Sequence, residues 1–440
     1  MIDLHLIRTQ PDYVRAQIAR LHADAPIDEI IALDGQRRDL IGEAEALKAQ
    51  RNAGSKAVGR AKDPTERERL KDEMRALGDR IGELDDRLRT VDDALLQAQL
   101  RVPNLPAEQV PDGASEDDNI VTAEIGERRV FDFAPQPHWD LAEKLGIIDF
   151  ERGVKVAGTR NYILRGDGAR LQRALITWML DLHTREHGYQ EVYPPFLVPS
   201  PMLYGNGSLP KFADTLFHDA EEDKWLIPTA EVPITNMYRD EILDEAILPI
   251  YHVAYTPCFR REQLSGGRDV RGIKRGFQFD KVEMVKFVTP ETSDEEYQKL
   301  QADAEAVLRA LGLPYRILQI CAADLSFTAA NKVDLEVWAP GSDEWLEVSS
   351  VATFHDFQAR RANLRYRPTG GRPQYLHTLN GSGLALPRVM IAIMENYQNA
   401  DGTFAVPDVL RPYLRDQEEI GVQPPVGNGA RDLAGLATVQ

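Results

Sequence analysis

Arginine, aromatic and acidic residues are concentrated between residues 259 and 284, in the segment FRREQLSGGRDVRGIKRGFQFDKVEM. If PCFRRE and KRGFQFDKVEM are two strands joined by a loop, side chains two positions apart share a face. A guanidinium can bind two oxygens of a carboxylate or phosphate, an aromatic ring can stack on a flat base, and a carboxylate can bind an ammonium or a metal. The pattern suits a nucleotide site, although an exposed arginine-rich ribbon would show it too. The residues expected to share faces are Arg260 with Glu262, and Arg275 with Phe277, Phe279, Lys281 and Glu283.

A second motif lies near the carboxyl terminus, in HTLNGSGLALPRVMIAIMENYQ. We expect a glycine-rich turn followed by an apolar helix that begins about Leu384 and contains Arg388. Such a helix could bring Arg388 to an anion held on the arginine-rich strands. Glycine-rich turns are common, so this motif favours an anion site only in combination with the arginine-rich segment.

The 440 residues, 43% of them hydrophobic, are enough for two or three domains with a sizeable core. The formal net charge of -18 argues against indiscriminate binding of polyanions, but it leaves room for a local basic surface. Cys258 and Cys321 are too few for a disulfide framework, which favours a reducing compartment and predicts a cytoplasmic location. No segment has the apolar core of a signal peptide or the roughly 20 apolar residues of a membrane helix, so we expect neither export nor a membrane span.

Residues 28 to 100 are predicted to form a long antiparallel helical hairpin. Apolar residues in its second half recur at alternating steps of four and three, the pattern of a coiled-coil seam. The segment NAGSKAVGRAKDPTERE, residues 52–68, is expected to join the two helices, with a break at Asp63-Pro64-Thr65. The hairpin would be roughly 45 to 50 Å long at 1.5 Å per residue. Arg37 and Arg51 occupy seam positions, so we expect the first helix to loosen toward its far end. The seam residues are Leu70, Met74, Leu77, Ile81, Leu84, Leu88, Val91 and Leu95.

The tip of this hairpin is basic although the chain as a whole is acidic. No acidic residue occurs from Asn52 to Ala61. By periodicity alone the hairpin could be a dimerising coiled coil or a spacer, and a charged tip could be a solvated surface. A basic tip on a projecting arm also suits a nucleic-acid backbone. Its cationic residues are Arg51, Lys56, Arg60 and Lys62.

Residues 1–100, which include this hairpin, are predicted to be a helical N-terminal domain, and residues 120–415 a single α+β domain. Residues 101–119 are rich in proline, aspartate and glycine and indicate a linker, and residues 120–415 alternate helical and β-rich segments. The β-rich segments are joined mostly without helical crossovers, which favours an antiparallel sheet. Residues 416–440 have little to pack and are predicted to be a mobile tail. His183 and His187 are four residues apart on a predicted helix, but with no third ligand nearby we interpret them as packing residues.

Several motifs occur in the same order as in a known family. They are GYQEVYPPFLV, LIPTAEVPITNMYRDEIL, FRRE with GRDVRG and QFDKVEMV, LEVSS with FQARRANLRYR, and HTLNGSGLALPR. Together with the hairpin they make residues 1 to 415 resemble the bacterial-type seryl-tRNA synthetases, which are class II aminoacyl-tRNA synthetases. The resemblance implies a catalytic domain built on an antiparallel sheet flanked by helices. It also implies activation of L-serine by ATP, with Mg²⁺, and transfer of the seryl group from seryl-adenylate to the 3′ end of tRNA(Ser).

The resemblance also implies roles for individual residues. Arg260 would bind the serine carboxylate and the α-phosphate, Glu262 the adenine amino group, and Phe279 would stack on adenine. Arg275 and Arg388 would hold phosphates, so that Arg260, Glu262 and Arg388 form the catalytic set. The remaining implied residues are Thr229, Glu231, Glu283, Asn380 and Ser382 for serine, Val348 and Ser349 for ATP, Glu347 and Ser350 for ATP and magnesium, and Arg51, Lys56, Arg60 and Lys62 of the tip for tRNA.

The resemblance further implies a homodimer, with an interface at the motif that contains Pro195, in which the tRNA held by one subunit's hairpin is acylated by the other. Six residues depart from the usual pattern of the family, which raises the hypothesis of a specialised copy that resists a serine-mimicking inhibitor. Two other functions remain open: an enzyme that loads an amino acid onto a carrier protein, whose relatives lack the hairpin, and a non-catalytic adaptor. The departing residues are Arg261, Gly276, Phe277, Val351, Ala352 and Thr353.

Overall fold

The structure is a computed structural model that describes residues 1–262 and 271–423. Most of the loop expected at residues 265–272, and residues 424–440 of the expected tail, lie outside the described residues. Within the described part of the chain, no helix is both long enough and apolar enough to cross a lipid bilayer.

Helices occupy the amino-terminal part of the chain and recur between the strands of the remainder. Their bounds are α1 Leu4–Thr9, α2 Pro11–Arg20, α3 Ile27–Arg60, α4 Pro64–Leu100, α5 His138–Leu145, α6 Phe150–Ala157, α7 Asp167–Arg185, α8 Ser200–Asn206, α9 Glu231–Thr235, α10 Ser293–Ala310, α11 Phe357–Arg361 and α12 Leu386–Asn396.

Strands begin only after the hairpin. Their bounds are β1 Ile120–Ile125, β2 Ile148–Asp149, β3 Ile163–Leu164, β4 Gln190–Glu191, β5 Leu197–Val198, β6 His218–Asp219, β7 Lys224–Leu226, β8 Ile242–Asp244, β9 Ile250–Phe259, β10 Gln278–Val288, β11 Tyr315–Gln319, β12 Asn331–Ala339, β13 Glu344–His355, β14 Arg365–Arg367, β15 Gln374–Tyr375, β16 His377–Ala385, β17 Phe404–Ala405 and β18 Glu419–Ile420.

One large sheet organises the second domain. Its strand order is β1-β11-β12-β13-β16-β10-β9-β4, and neighbouring strands are antiparallel except for β4, which runs parallel to β9 at the edge. Helices α7, α10 and α12 pack against the sheet, and residues such as Met284, Leu300 and Ile391 are fully buried between the layers. The predicted α+β class with an antiparallel sheet flanked by helices is confirmed.

The long hairpin is also confirmed, as α3 and α4. Leu84 of α4 is fully buried against Leu40 and Ala44 of α3, as the seam predicts. Helix α4 begins at Pro64, and the Asp63 carboxylate caps it by accepting a hydrogen bond from Thr65 N at 3.3 Å.

One detail of the hairpin prediction was wrong. Helix α3 continues through most of the expected joining segment to Arg60, so only residues 61–63 connect the two helices. Near the base of the hairpin, Arg37 Nε donates to Asp92 Oδ1 on the opposite helix at 2.6 Å. An arginine at a seam position is tolerated here because its long side chain reaches an acid at the edge of the interface.

The predicted strands of the arginine-rich segment were too long. Strand β9 ends at Phe259 and β10 begins at Gln278, so Arg260, Glu262, Arg275 and Phe277 lie outside them. Glu262 has a φ of 45°, in the left-handed region that strands do not use, so its backbone is not extended. Phe279, Lys281 and Glu283 alternate along β10 as expected.

The expected glycine-rich turn was also wrong, since HTLNGSGLA forms strand β16 and α12 begins at Leu386. The glycines allow neighbouring layers to approach this strand closely. A Cβ on Gly383 would lie 2.7 Å from His183 Nε2, and one on Gly381 would lie 3.2 Å from Leu300 Cγ. Sequence periodicity shows the glycines but not the side chains that pack over them.

Candidate active site

Two adjoining cavities lie along strands β10, β13 and β16. The larger has a volume of about 800 Å³ and the smaller about 260 Å³. Most of the residues implied by the sequence line one or both of them, although they come from positions as far apart as Thr229 and Arg388. The residues common to the two walls are Arg260, Glu262, Arg275, Lys281, Ser350 and Ser382.

Two carboxylates face each other in the larger cavity. Asn380 Nδ2, on β16, donates to Glu231 Oε2 and to Glu283 Oε1, each at 2.9 Å. Lys281 Nζ lies 2.6 Å from Glu283 Oε2, and Ser382 Oγ donates to the same oxygen at 3.3 Å. The side chain of Glu283 is fully buried because β10 lies in the middle of the sheet, between β9 and β16.

Burial makes it unfavourable for Glu231 and Glu283 to be ionised at the same time. Burial, followed by the negative charge of Glu283, raises the pKa of Glu231 to about 7, and Lys281 offsets only part of the effect. Gln358 of α11 supports Glu231 by donating from Nε2 to its Oε1 at 2.5 Å. A cationic group entering between the two carboxylates would relieve their repulsion, so this end of the cavity suits an ammonium group.

Three oxygen-bearing residues from β12 and β13 meet at Ser350, which lines both cavities. Ser350 Oγ lies 2.6 Å from Asp334 Oδ1 and 3.2 Å from Glu347 Oε1. Burial and the adjacent Glu347 raise the pKa of Asp334 to about 7. Burial opposes ionisation of Glu347 as well, but Arg388, Lys332 and Arg260 outweigh it and hold the pKa of Glu347 below its usual value.

The smaller cavity combines cations with one aromatic ring. The Arg260 guanidinium carbon lies 5.1 Å from the centre of the Phe279 ring, and its Nε donates to Pro228 O at 3.3 Å. Arg275 approaches Glu262 at 3.5 Å, and Arg388 donates to Glu347 O at 2.6 Å from the first turn of α12. A cavity walled by three guanidinium groups and an aromatic ring suits an anionic, base-bearing ligand.

A buried carboxylate on α12 fixes the segment that carries Arg275. Glu395 is fully buried and accepts hydrogen bonds from His138 Nδ1 at 3.0 Å and from Gly341 N and Ser342 N at 2.9 Å. His138 Nε2 in turn accepts from Ile273 N at 3.3 Å. Helix α12 therefore supplies Arg388 at one end and, through Glu395 and His138, positions the approach to Arg275.

Some predicted residues lie away from the cavities. Ser349 faces away, since its Oγ donates to Ser382 O at 2.8 Å, whereas Val348 lines the smaller cavity. A β-strand alternates its faces, so adjacent residues of β13 cannot all reach one cavity. The predicted tRNA residues are exposed on the distant hairpin and connector; they are Arg51, Lys56, Arg60 and Lys62.

The six residues that differ from the usual pattern of the family also differ in whether they line a cavity. Ala352 lines the larger cavity and Gly276 the smaller, so only these two lie at the walls. Phe277 packs edge-to-face on Phe217 at 6.1 Å, and Arg261 lies over the same Phe217 ring at 5.3 Å. Val351 and Thr353 alternate with Ala352 along β13 and line neither cavity.

Sequence reasoning missed several residues of the site. The role of Lys281 was missed, although its alternation with Phe279 and Glu283 placed it on their face of the strand. Asp334 lies three strands away from β10 in the sheet, and Gln358 and Glu395 reach the site only through tertiary packing. No local spacing marks such residues.

Comparison with known proteins identifies the class first. The family model "tRNA synthetase class II core domain (G, H, P, S and T)" matches residues 213–397, so the second domain is a class II tRNA synthetase core. The "Seryl-tRNA synthetase N-terminal domain" model matches residues 1–106. The chain belongs to the seryl-tRNA synthetase family, as its motifs predicted.

Individual relatives match over almost the whole chain. The serine–tRNA ligase of Thermomicrobium roseum is 64% identical over 96% of each chain, and that of Chloroflexus aurantiacus is 57% identical over 96% of this chain and all of its own. The crystal structure of the Pyrococcus horikoshii seryl-tRNA synthetase complexed with ATP superposes with a TM-score of 0.89 at 35% identity, covering 96% of this chain and 100% of that one.

Proposed function

We propose that the protein is a serine–tRNA ligase that activates L-serine with ATP and transfers the seryl group to the 3′ end of tRNA(Ser). The observation that carries the proposal is the pair of carboxylates Glu231 and Glu283, bridged by Asn380, in a cavity that continues past Arg260 to Phe279. An ammonium site and a site for an anionic nucleotide thus adjoin. The relatives named above are serine–tRNA ligases, and the Pyrococcus enzyme was crystallised with ATP.

The serine subsite supports the choice of amino acid. Its ammonium would lie between Glu231 and Glu283, with Thr229 beside them and its hydroxyl near Asn380 and Ser382. If alanine were bound instead, the polar groups of Asn380 and Ser382 that would bond the serine hydroxyl would have no partner. Leaving such groups unpaired in a buried site lowers the binding affinity for alanine strongly. Threonine would have to be excluded by its additional methyl group.

Activation requires two anions to meet. The serine carboxylate attacks the α-phosphorus of ATP, seryl-adenylate forms, and pyrophosphate leaves. Arg260 would bind both the carboxylate and the α-phosphate, with Arg275 and Arg388 on the other phosphates. Phe279 would stack on adenine and Glu262 would accept from its amino group. These residues position the reactants and neutralise charge, which is the main task in such a reaction.

The oxygen donors at the junction of the cavities fit a magnesium ion. Mg²⁺ prefers oxygen ligands and is commonly held by one or two carboxylates together with substrate phosphates. Glu347 Oε1 and Ser350 Oγ, 3.2 Å apart, would hold it. The described residues contain no cluster of three or more His, Cys, Asp or Glu side chains suited to a metal, so the substrate phosphates would supply the remaining ligands. When bound, the ion would neutralise phosphate charge next to Arg388.

The hairpin provides the proposed contact with tRNA. Its outer part carries four cations, and its base is fixed to the body because Ile30, Leu95 and Ala98 pack with α1, α2 and Phe357. A rigid arm with a basic end suits the backbone of a folded RNA. The cationic residues are Arg51, Lys56, Arg60 and Lys62.

The edge of the large sheet supports a homodimer. Strand β4 is the last strand of that sheet, and the segment after it exposes 78% of Tyr193 and 50% of Leu197 on either side of Pro195. A second copy would cover both the sheet edge and these apolar side chains. The tRNA held by one subunit's arm would then be acylated by the other. The cytoplasmic location stays a prediction from the cysteine content.

The wall of the larger cavity also supports the hypothesis of a divergent copy with altered inhibitor sensitivity. Ala352 lines the larger cavity at a position where the family usually has serine, so the wall lacks one hydroxyl there. An inhibitor that uses that hydroxyl would bind this enzyme more weakly.

Replacing Arg260 by alanine should lower serine-dependent ATP–pyrophosphate exchange by about a thousandfold or more, because the charge that neutralises both reactants is lost. Steady-state exchange assays measure this directly. Arg261→Ala, one residue away and outside both cavities, is the control and should keep near-normal activity. Exchange at the normal rate in Arg260→Ala would remove Arg260 from the mechanism.

Shortening the arm should separate the two half-reactions. Replacing residues 42–87 by a short glycine-rich turn keeps the packed base, so pyrophosphate exchange should stay within about twofold while tRNA charging is lost. A second variant, in which the four tip cations are changed to glutamine, should weaken charging and reduce its salt dependence. Normal charging by the shortened enzyme would refute the assigned role of the arm.

Sedimentation equilibrium should find a dimer whose dissociation constant rises when Tyr193 is replaced by aspartate, because a charge would be buried at the interface. Tyr13→Asp, another exposed tyrosine on α2, is the matched control and should leave the dimer unchanged. A monomeric wild-type enzyme at micromolar concentration would contradict the interface.

Ala352→Ser should make charging more sensitive to a serine-mimicking inhibitor while leaving the KM for serine within a few-fold. Inhibition curves of the two enzymes, measured side by side, test this. Identical curves would rule out Ala352 as a source of altered sensitivity.

A further inference from the structure

Two residues with left-handed backbone angles contact each other next to the smaller cavity. Arg160, between α6 and β3, has a φ of 63°, and Glu262, after β9, has a φ of 45°. The guanidinium of Arg160 donates from Nη1 to Glu262 O at 2.9 Å. Residues other than glycine keep such angles only where their surroundings hold them, and they are concentrated at functional sites. The contact therefore points to a role for Arg160 in the site.

Arg160 also binds the chain where it returns to the sheet. Its backbone O accepts from Phe277 N at 3.2 Å, and its guanidinium carbon lies 5.8 Å from the centre of the Phe277 ring. Phe277 O in turn accepts from Arg260 N at 3.0 Å. One residue from a separate part of the chain thus binds both the segment that follows β9 and the segment that precedes β10.

A glycine permits this close approach. Gly276 is buried, next to Phe277. A Cβ at this position would lie 3.0 Å from Gln278 O and 3.4 Å from Arg160 O and Tyr162 Cε1. The first of these distances is shorter than an ordinary van der Waals contact, so a side chain here would require the backbone to shift. Gly276 and Phe277 both differ from the usual pattern of the family, so the packing against Arg160 is particular to this chain.

The ring of Phe277 is held on a second side as well. It packs edge-to-face on Phe217 at 6.1 Å, and Arg261 lies over the Phe217 ring at 5.3 Å. In order of contact, the four side chains form a row of cation, ring, ring and cation. Contacts of both kinds are attractive, so the row restricts the movement of Phe277. Arg160 stands at the end of the row that reaches the Glu262 backbone.

We propose that Arg160 is a positioning residue for the adenine subsite, an assignment that rests on the proposed function. In that function the Glu262 carboxylate accepts a hydrogen bond from the adenine amino group. Arg160 lines neither cavity and acts through Glu262: it holds the Glu262 backbone in its left-handed conformation, so that the carboxylate faces a base stacked on Phe279. Its loss affects recognition of the purine and leaves recognition of serine unchanged.

Comparison of ATP with inosine triphosphate tests the assignment, because inosine has a carbonyl where adenosine has the amino group. In serine-dependent pyrophosphate exchange, Arg160→Ala should raise the KM for ATP about tenfold, while the KM for serine stays within about twofold. The inhibition constant of inosine triphosphate against ATP should also stay within about twofold, because its base does not donate to Glu262. The preference for ATP should therefore fall about fivefold or more. A purely structural defect would weaken both nucleotides together.

A second variant keeps a donor at the same position. Arg160→Lys retains the positive charge but not the planar guanidinium, and it should raise the KM for ATP only about threefold, again without changing the constant for inosine triphosphate.

The matched control is Arg152→Ala, an exposed arginine on α6 that pairs with Asp149 at 2.8 Å, and it should leave all constants unchanged. Equal changes for the two nucleotides in the Arg160 variants, or wild-type constants in both variants, would overturn the assignment while leaving the ligase function standing. Absence of serine-dependent exchange in the wild-type enzyme would instead refute the proposed function itself.

Discussion

The repulsion between the half-buried carboxylate of Glu231 and the fully buried carboxylate of Glu283 is the constraint on which the rest of the site depends. One amide, Asn380 Nδ2, donates to both at 2.9 Å, and one ammonium, Lys281 Nζ, lies 2.6 Å from Glu283 only. When both carboxylates are ionised, two negative charges therefore share less than two compensating charges at this end of the cavity. The pair is completed by a ligand that brings a positive charge, and an amino acid's ammonium group has that charge and size.

The fold maintains this arrangement because its parts come from a sheet that cannot easily move. Glu283 and Asn380 lie on adjacent central strands, β10 and β16, and Glu231 begins the short helix α9. Gln358 ties Glu231 to α11, and Thr378 Oγ1 donates to Gln358 Oε1 at 2.7 Å. Each carboxylate is thus anchored by a different element. The strands can hold like charges together because backbone hydrogen bonding and core packing offset the electrostatic cost.

A second group of charges, at the other end of the site, has the opposite sign. Arg260, Arg275 and Arg388 surround the smaller cavity, and Glu395 and His138 fix the segment that leads to Arg275. The carboxylate end of the amino acid and the phosphates of the nucleotide would meet between these arginines. The site therefore has one acidic and one basic end, which would orient a zwitterionic substrate before any reaction begins.

Local patterns in the sequence predicted the parts of this site that depend on periodicity. The alternation of Phe279, Lys281 and Glu283 matches β10, and the heptad seam matches α4, because both follow from the repeat of a single element.

The errors arose where the chain leaves its repeat or where tertiary packing decides. Strand β9 ends at Phe259, so Arg260 and Glu262 lie beyond it, and Glu262 has a left-handed φ. The expected glycine-rich turn belongs instead to strand β16, and His183 and Leu300 pack over its glycines. His138 and Glu395, 257 positions apart, meet only in the folded chain, so no spacing could reveal them.

The most direct test of the central constraint is proton release on serine binding, measured by calorimetry at pH 6 in buffers of different ionisation enthalpy. Burial and Glu283 raise the pKa of Glu231 to about 7, so Glu231 is mostly protonated at pH 6 in the free enzyme. Binding an ammonium next to it should lower that pKa and release close to one proton at pH 6, and almost none at pH 8.5. Glu231→Gln should abolish the release. Serine binding at pH 6 without proton release would contradict the account.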